Sequence, residues 1–226
     1  MEYIILIPAY EPDKKLINLL KKINNKYKVI VVDDGSTNKS AFEAIKDYSY
    51  IISYDNNMGK GCALKTGFKY IKENYKNYIV VCMDADGQHD LKDAINLCDY
   101  AKENLDTLVI GKRYWDNKTP WSNRTGNKIT RYVFKKKTGM SIYDTQSGLR
   151  AFSYKLMDYM LSIPGERYEY EMNVLLDLKK NNIKYHEIDI KTIYIGDNSS
   201  SHFNAFKDSY KIYKEIISHS KKWNFS

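Results

Sequence analysis

The chain has little cysteine, and no two of its cysteines form a CxxC pair. Cys62, Cys82 and Cys98 are an odd number, and two of them sit in apolar segments. They read as reduced, buried thiols of a reducing cytosol rather than a disulfide framework or a metal knuckle. No apolar run approaches the about 20 residues needed to cross a bilayer. The apolar start at 3–7 is too short, and too poor in leading basic residues, for a signal peptide. Both GxxxxGK[ST] and GxGxxG are missing, which argues against a P-loop nucleotidase and a dinucleotide enzyme. No internal repeat, low-complexity linker, recognition-helix pattern or RNP-type pattern is present, so no nucleic-acid partner is expected.

What is there fits one sizeable domain. The 226 residues are 43% hydrophobic, include 21 tyrosines and carry a net charge of +8. That charge reads equally as a lysine-rich surface or as attraction to an anionic partner. Apolar segments at 3–7, 28–32, 50–54, 78–83 and 107–111 predict strands. They alternate with segments of helical spacing at 14–23, 39–48, 59–74 and 91–104. Strands apolar on both faces that alternate with helices predict a mostly parallel central sheet flanked by helices, an α/β fold. Beyond residue 112 the pattern changes. A polar, basic, aromatic loop leads into a helix at about Asn123. A strand follows at 149–153, a helix at 169–181, an alternating strand at 186–195 and an amphipathic helix at 206–217.

In such a sheet ligands bind beyond the carboxyl ends of the strands. Four of the first five strands run into polar loops there: PAYEPD, DDGS, DNNMGKG and DADGQ. Asp84 and Asp86 are two apart, so in an extended segment they point the same way. Two carboxylates so placed need a cation between them. Mg²⁺ or Mn²⁺, partly ligated by substrate phosphates, is the expected one, with Asp84 and Asp86 serving catalysis. Asp33 and Asp34 read either as a capped turn or as a carboxylate for base or ribose beside one that props the loop. Glu169 and Glu171 read either as a solvated first helical turn or as a general base. Trp115, Trp121, Tyr132 and Phe134, set among Lys and Arg, suit a membrane interface or a basic helix with a buried aromatic face.

IPAYEPD, VVDDGS, NNMGKGCALKTGF, DADGQH, GKR and DTQSGLRAF, in this order and at these intervals, resemble family 2 glycosyltransferases of the GT-A fold. The branch they are most similar to is that of dolichyl-phosphate mannose and glucose synthases, over roughly residues 3–210. The resemblance implies a nucleotide-diphospho-sugar donor of UDP-glucose or GDP-mannose type, a divalent metal, and inversion at the anomeric carbon. It implies that Pro8, Ala9, Tyr10, Glu11, Asp33 and Asp34 hold the nucleoside side of the donor, with Gly59 and Lys60 near its phosphates. Asp84, Asp86, Gln88 and His202 would hold metal and diphosphate. Arg113 and Arg124 would meet the acceptor phosphate, and Asp144, Thr145 and Gln146 the sugar.

The expected molecule is a single GT-A domain, 1–226, whose nucleotide-binding half is 1–112 and whose acceptor-binding half is 113–226. Its expected reaction is hexose transfer to polyprenyl phosphate by a cytoplasmic enzyme at the inner face of the plasma membrane. The alternatives are a glycan hydroxyl acceptor in cell-surface polysaccharide synthesis and a non-catalytic sugar-nucleotide binding module. Leu91 departs from the family's frequent proline after the acid. The C-terminal membrane helices of many bacterial relatives have no counterpart in the sequence.

Overall fold

A computed structural model describes residues 1–114 and 121–193, except the side chains of 121–127 and 129. The helix expected at 206–217 and the residue His202 lie outside the described residues.

The expected alternation is present. β1 (Glu2–Ala9), α1 (Lys14–Ile23), β2 (Lys28–Asp33), α2 (Ser40–Glu43), β3 (Tyr50–Ser53), α3 (Lys60–Asn74), β4 (Tyr78–Cys82), α4 (Leu91–Glu103) and β5 (Thr107–Arg113) follow one another. Then come α5 (Trp121–Thr138), β6 (Arg150–Ser153), α6 (Met157–Ser162), α7 (Glu169–Asp177) and β7 (Lys184–Ile190). Asp13 and Asp90 cap α1 and α4 by accepting from the N–H groups of Lys15 and Lys92. Four segments differ from the sequence expectation, the helix expected over 169–181 ending at Asp177. The helix expected over 39–48 is four residues long. The strand expected over 186–195 begins earlier and ends at Ile190. α6 was not foreseen, since six residues are too few to show a helical period.

The seven strands form one sheet in the order β3-β2-β1-β4-β6-β5-β7. All neighbours are parallel except at β6, which runs against β4 and β5. Successive residues of each strand feed opposite faces. Ile4, Leu6, Val80 and Phe152 pack with Phe68, Phe134 and Tyr170 on one face; Ile5, Ile7, Val81 and Ala151 pack with Leu16, Leu20 and Leu97 on the other. β4 is buried along its whole length, because helices cover both sides.

Two consequences fix the site. The chain moves from β1 outward to β2 and β3, then returns to place β4 on the other side of β1, so the sheet's switch point is the β1/β4 edge. Because β6 is antiparallel, its first residue, Arg150, pairs with Cys82 at the carboxyl end of β4. The segment entering β6, DTQSGL, therefore lies on the same rim as the segment leaving β4, DADGQ.

Candidate active site

The β1–β3 side of the rim is tied together by its own side chains. Asp34 N–H donates to the Ala9 carbonyl at 2.8 Å. The Asp34 carboxylate accepts from the N–H groups of Met58 and Gly59, each at 2.8 Å, and from Asn57 Nδ2 at 3.0 Å. It thereby shapes the turn before α3. Gly59 has φ +102°, and a Cβ there would lie 2.6 Å from the Glu166 carbonyl oxygen, so only glycine fits. Asp33 is fully buried; it accepts from Ser36 N–H at 2.9 Å and pairs with Lys39 at 2.5 Å. Glu11 accepts from Thr37 N–H at 2.6 Å and from the Thr37 hydroxyl at 2.7 Å, bonds that hold its carboxyl below the usual range. Pro8 and Ala9 end β1 beside these loops, and Tyr10 is exposed. The acids expected to meet a nucleoside are thus engaged within the rim: Glu11 joins the β1 and β2 loops, Asp33 braces the β2 loop, and Asp34 ties it to the turn before α3.

At the switch point the cation beside Asp84 is a lysine. Lys60, the first residue of α3, places Nζ 2.7 Å from Asp84 Oδ1 and 2.9 Å from Glu171 Oε2. Burial acts to raise the Asp84 pKa, but the Lys60 ammonium, helped by His89 and Arg113, outweighs it and brings the carboxyl down to about 2. Burial also works against the Lys60 charge, and Asp84 and Glu171 overcome it. Asp86 moves the other way, raised by burial and by the charge on Asp84, while one of its oxygens accepts from Gln88 N–H at 2.9 Å. His89 is buried, accepts the Asp84 N–H on Nδ1 at 3.2 Å, and is pushed down to about 4 by burial. It is a neutral brace for the turn.

Among the described residues no group of three or more His, Cys, Asp or Glu is placed to hold a metal ion. The donors that are present fit an oxygen-preferring divalent ion whose remaining ligands come from substrate and water. Mg²⁺ is commonly held by only one or two carboxylates in that way. Gly148 supports the fit. A Cβ at 148 would stand 2.5 Å from Asp84 Oδ2, so the absence of a side chain there makes the space the carboxylate occupies.

The β5–β6 side of the rim is organised around Arg113, at the end of β5. Its Nε and Nη2 donate to the two oxygens of buried Asp144 at 2.7 and 3.1 Å. Asp144 also accepts from Gln146 N–H, and Glu187 of β7 accepts from the N–H groups of Tyr143 and Asp144 at 2.8 and 3.2 Å. Thr145 is buried and Gln146 exposed. Replacing Asp144 with alanine is expected to cost about 2–3 kcal/mol, since it removes the bidentate carboxylate partner of a largely buried guanidinium. Urea unfolding with an unchanged midpoint would contradict this.

Arg150 fastens this loop to the start of α7. Its Nε donates to the Ser147 carbonyl at 3.1 Å and its Nη1 to the Glu171 carbonyl at 2.7 Å. The two acids at the start of α7 separate. Glu169 accepts from the N–H groups of Glu166 and Arg167, which closes the preceding turn. Glu171 is largely buried and faces Lys60, so it is not part of a solvated turn. On α5, Phe134 is fully buried while Tyr132 is exposed, as is Tyr114 just past β5; Lys112, Arg131 and Lys136 lie over the rings of Tyr114, Tyr143 and Tyr132. The side chains of Arg124 and Trp121, and all of Trp115, lie outside the described residues.

Sequence reasoning missed Gly148, Arg150, His89 and Glu187. Only the first had a usable signal, a glycine between the DTQ triplet and the strand expected at 149–153.

Residues 4–162 match the family model described as "Glycosyl transferase family 2". The chain belongs to glycosyl transferase family 2. This glycosyltransferase is 32% identical over 223 residues to an uncharacterized protein of Methanocaldococcus jannaschii, covering 96% of the chain and 91% of that relative. It is 29% identical over 215 residues to a UDP-N-acetylglucosamine–dolichyl-phosphate N-acetylglucosaminyltransferase of Methanococcus voltae, covering 84% and 85%. An undecaprenyl-phosphate 4-deoxy-4-formamido-L-arabinose transferase of Proteus mirabilis shares 31% identity over 170 residues, 70% of the chain and 50% of that protein. Among solved structures, mannosyl-3-phosphoglycerate synthase from Rubrobacter xylanophilus superposes with a TM-score of 0.74 at 15% identity, covering 98% of this glycosyltransferase and 75% of that chain. The shared GT-A fold accounts for the sheet order and for the site's position at its carboxyl rim.

Proposed function

We propose that this glycosyltransferase moves a hexose from a nucleotide-diphospho-sugar to a polyprenyl phosphate, with inversion, and that Asp84 and Asp86 hold a divalent metal against the donor diphosphate. The names of the Methanococcus and Proteus relatives support the lipid-phosphate acceptor. The observation that carries the reading is the ion pair between Glu171 and Lys60 at 2.9 Å. A sugar hydroxyl needs a free carboxylate base within hydrogen-bond reach. Glu169 is committed to backbone N–H groups and Glu171 to an ammonium. A lipid phosphate is already an anion and needs no base, only cations to seat it.

The geometry supports the following roles. The Asp33, Asp34 and Glu11 loops form the floor for the nucleoside, residues 1–112 supplying the donor half. Gly59 ends the turn that aims α3's first residue, Lys60, at the diphosphate. A metal at Asp84 and Asp86, with Gln88 close by, would supply neutralisation of the leaving diphosphate's charge. Arg113, held by Asp144, presents its guanidinium toward the incoming phosphate, with Thr145 and Gln146 beside the sugar. His202 and Arg124 remain proposed contributors. The exposed Tyr114 and Tyr132, with Lys112, Arg131 and Lys136, give the acceptor half a basic, aromatic patch suited to the cytoplasmic face of a membrane. Among the described residues no helix is long and apolar enough to cross one.

Incubation with Mn²⁺, a UDP- or GDP-hexose and a polyprenyl phosphate is expected to release nucleoside diphosphate and yield a charged, chloroform-soluble glycolipid. Turnover with glycan acceptors but not with the lipid, abolished by Glu171→Gln, would establish the hydroxyl-acceptor reading instead.

A further inference from the structure

The cation paired with Asp84 sits on one oxygen of a carboxylate proposed to hold the metal. Asp84 Oδ2 is backed by Gly148 and stands 4.0 Å from His89 Nε2. Oδ1 is the oxygen Lys60 holds, at 2.7 Å. A divalent ion bound to that oxygen and an ammonium in contact with it would be two cations at close quarters. One must yield.

Lys60 has somewhere to go. Its side chain is only 17% exposed, so an unpaired ammonium here would be costly. Glu171 is equally enclosed, at 16%, and already lies 2.9 Å away. Its position is fixed from behind, because Arg150 holds the Glu171 carbonyl. A small rotation of the lysine would release Asp84 while keeping Glu171.

We infer that Lys60 is a built-in stand-in for the metal. It holds Asp84 in place in the metal-free enzyme and withdraws onto Glu171 when a divalent ion binds, so the Lys60–Glu171 pair sets the metal affinity of the donor site. Glu171 is then a positioning residue for Lys60 rather than a general base. The arrangement keeps the acid pair from collapsing before the donor arrives. It also leaves an ammonium next to the diphosphate once the metal is seated. This inference rests on the proposed metal role of Asp84 and Asp86.

The test is calorimetric titration of the full-length protein with Mn²⁺ alone, at constant ionic strength. Lys60→Met is expected to bind Mn²⁺ about tenfold more tightly than wild type, because no ammonium has to be displaced. Glu171→Gln is expected to bind about tenfold more weakly, because the lysine loses its second seat and stays on Asp84. Lys15→Met is the control: its charge reaches Asp86 but does not sit on Asp84, and it should change affinity by less than about twofold. Equal tightening in Lys15→Met and Lys60→Met would reduce the effect to general field strength and overturn the displacement. Unchanged affinity in a folded Lys60→Met would do the same; should that variant fail to fold, unchanged affinity in Glu171→Gln would overturn it. Asp86→Asn separates the two levels. If wild type binds Mn²⁺ and Asp86→Asn binds it equally well, the metal reading itself fails, and the inference with it.

Discussion

Asp84→Asn is expected to lower kcat by about a hundred- to a thousandfold while leaving the protein folded. In the proposed reaction the leaving diphosphate gains negative charge as the glycosidic bond breaks, and this carboxylate is the group proposed to fix its counter-ion. Asparagine keeps the shape and one oxygen but no charge. Lys60 still has Glu171 as a partner, so no buried ammonium is stranded and thermal stability should change little. Circular dichroism melting alongside nucleoside diphosphate release checks both parts. Turnover within a few-fold of wild type would remove Asp84 from the chemistry. A collapse in stability would mean that its main role is to bury Lys60.

The second large effect is expected from a residue with no functional group. In Gly148→Ala the new Cβ would lie 2.5 Å from Asp84 Oδ2 and 3.0 Å from its Cγ and Oδ1. Something must move, and the flexible partner is the Asp84 side chain. Gly148 does not have a positive φ, so alanine costs the backbone little there. The loss should therefore appear in activity, about a hundredfold, and in weaker Mn²⁺ binding, with only a small change in melting temperature. Combining it with Asp84→Asn supplies the decisive comparison. If Gly148→Ala acts through the carboxylate, the double variant is no worse than Asp84→Asn alone. Additive losses would show that Gly148 matters for another reason.

Much of this molecule was legible before any coordinates. The five leading strands and the rim on which their acids gather follow from apolar runs broken by PAYEPD, DDGS and DADGQ. The motif order carried the family. Three things could not be read. One is the direction of β6: four residues of a strand have no polarity in their composition, so pairing alone shows that DTQSGL joins the site from the entering side. Another is the partner of Asp84. Lys60 precedes it by 24 positions; the motif order sets that lysine near the donor's phosphates, but nothing in a linear sequence pairs it with Asp84 or Glu171. The last is the split between Glu169 and Glu171, which are two residues apart on a helix and so point in different directions. Helical spacing could separate them but could not say which one faces inward.

The reversed strand has a broader consequence. Since β5 leaves the sheet at Arg113 and β6 re-enters at Arg150 on the same edge, the intervening stretch is a detour with both doors on one side. Its outer part can change length without threading the sheet, whereas Phe134, Asp144 and Gly148 tie its inner part to the core, to Arg113 and to Asp84. A single scaffold can in this way keep one activated-sugar chemistry and trade its clientele.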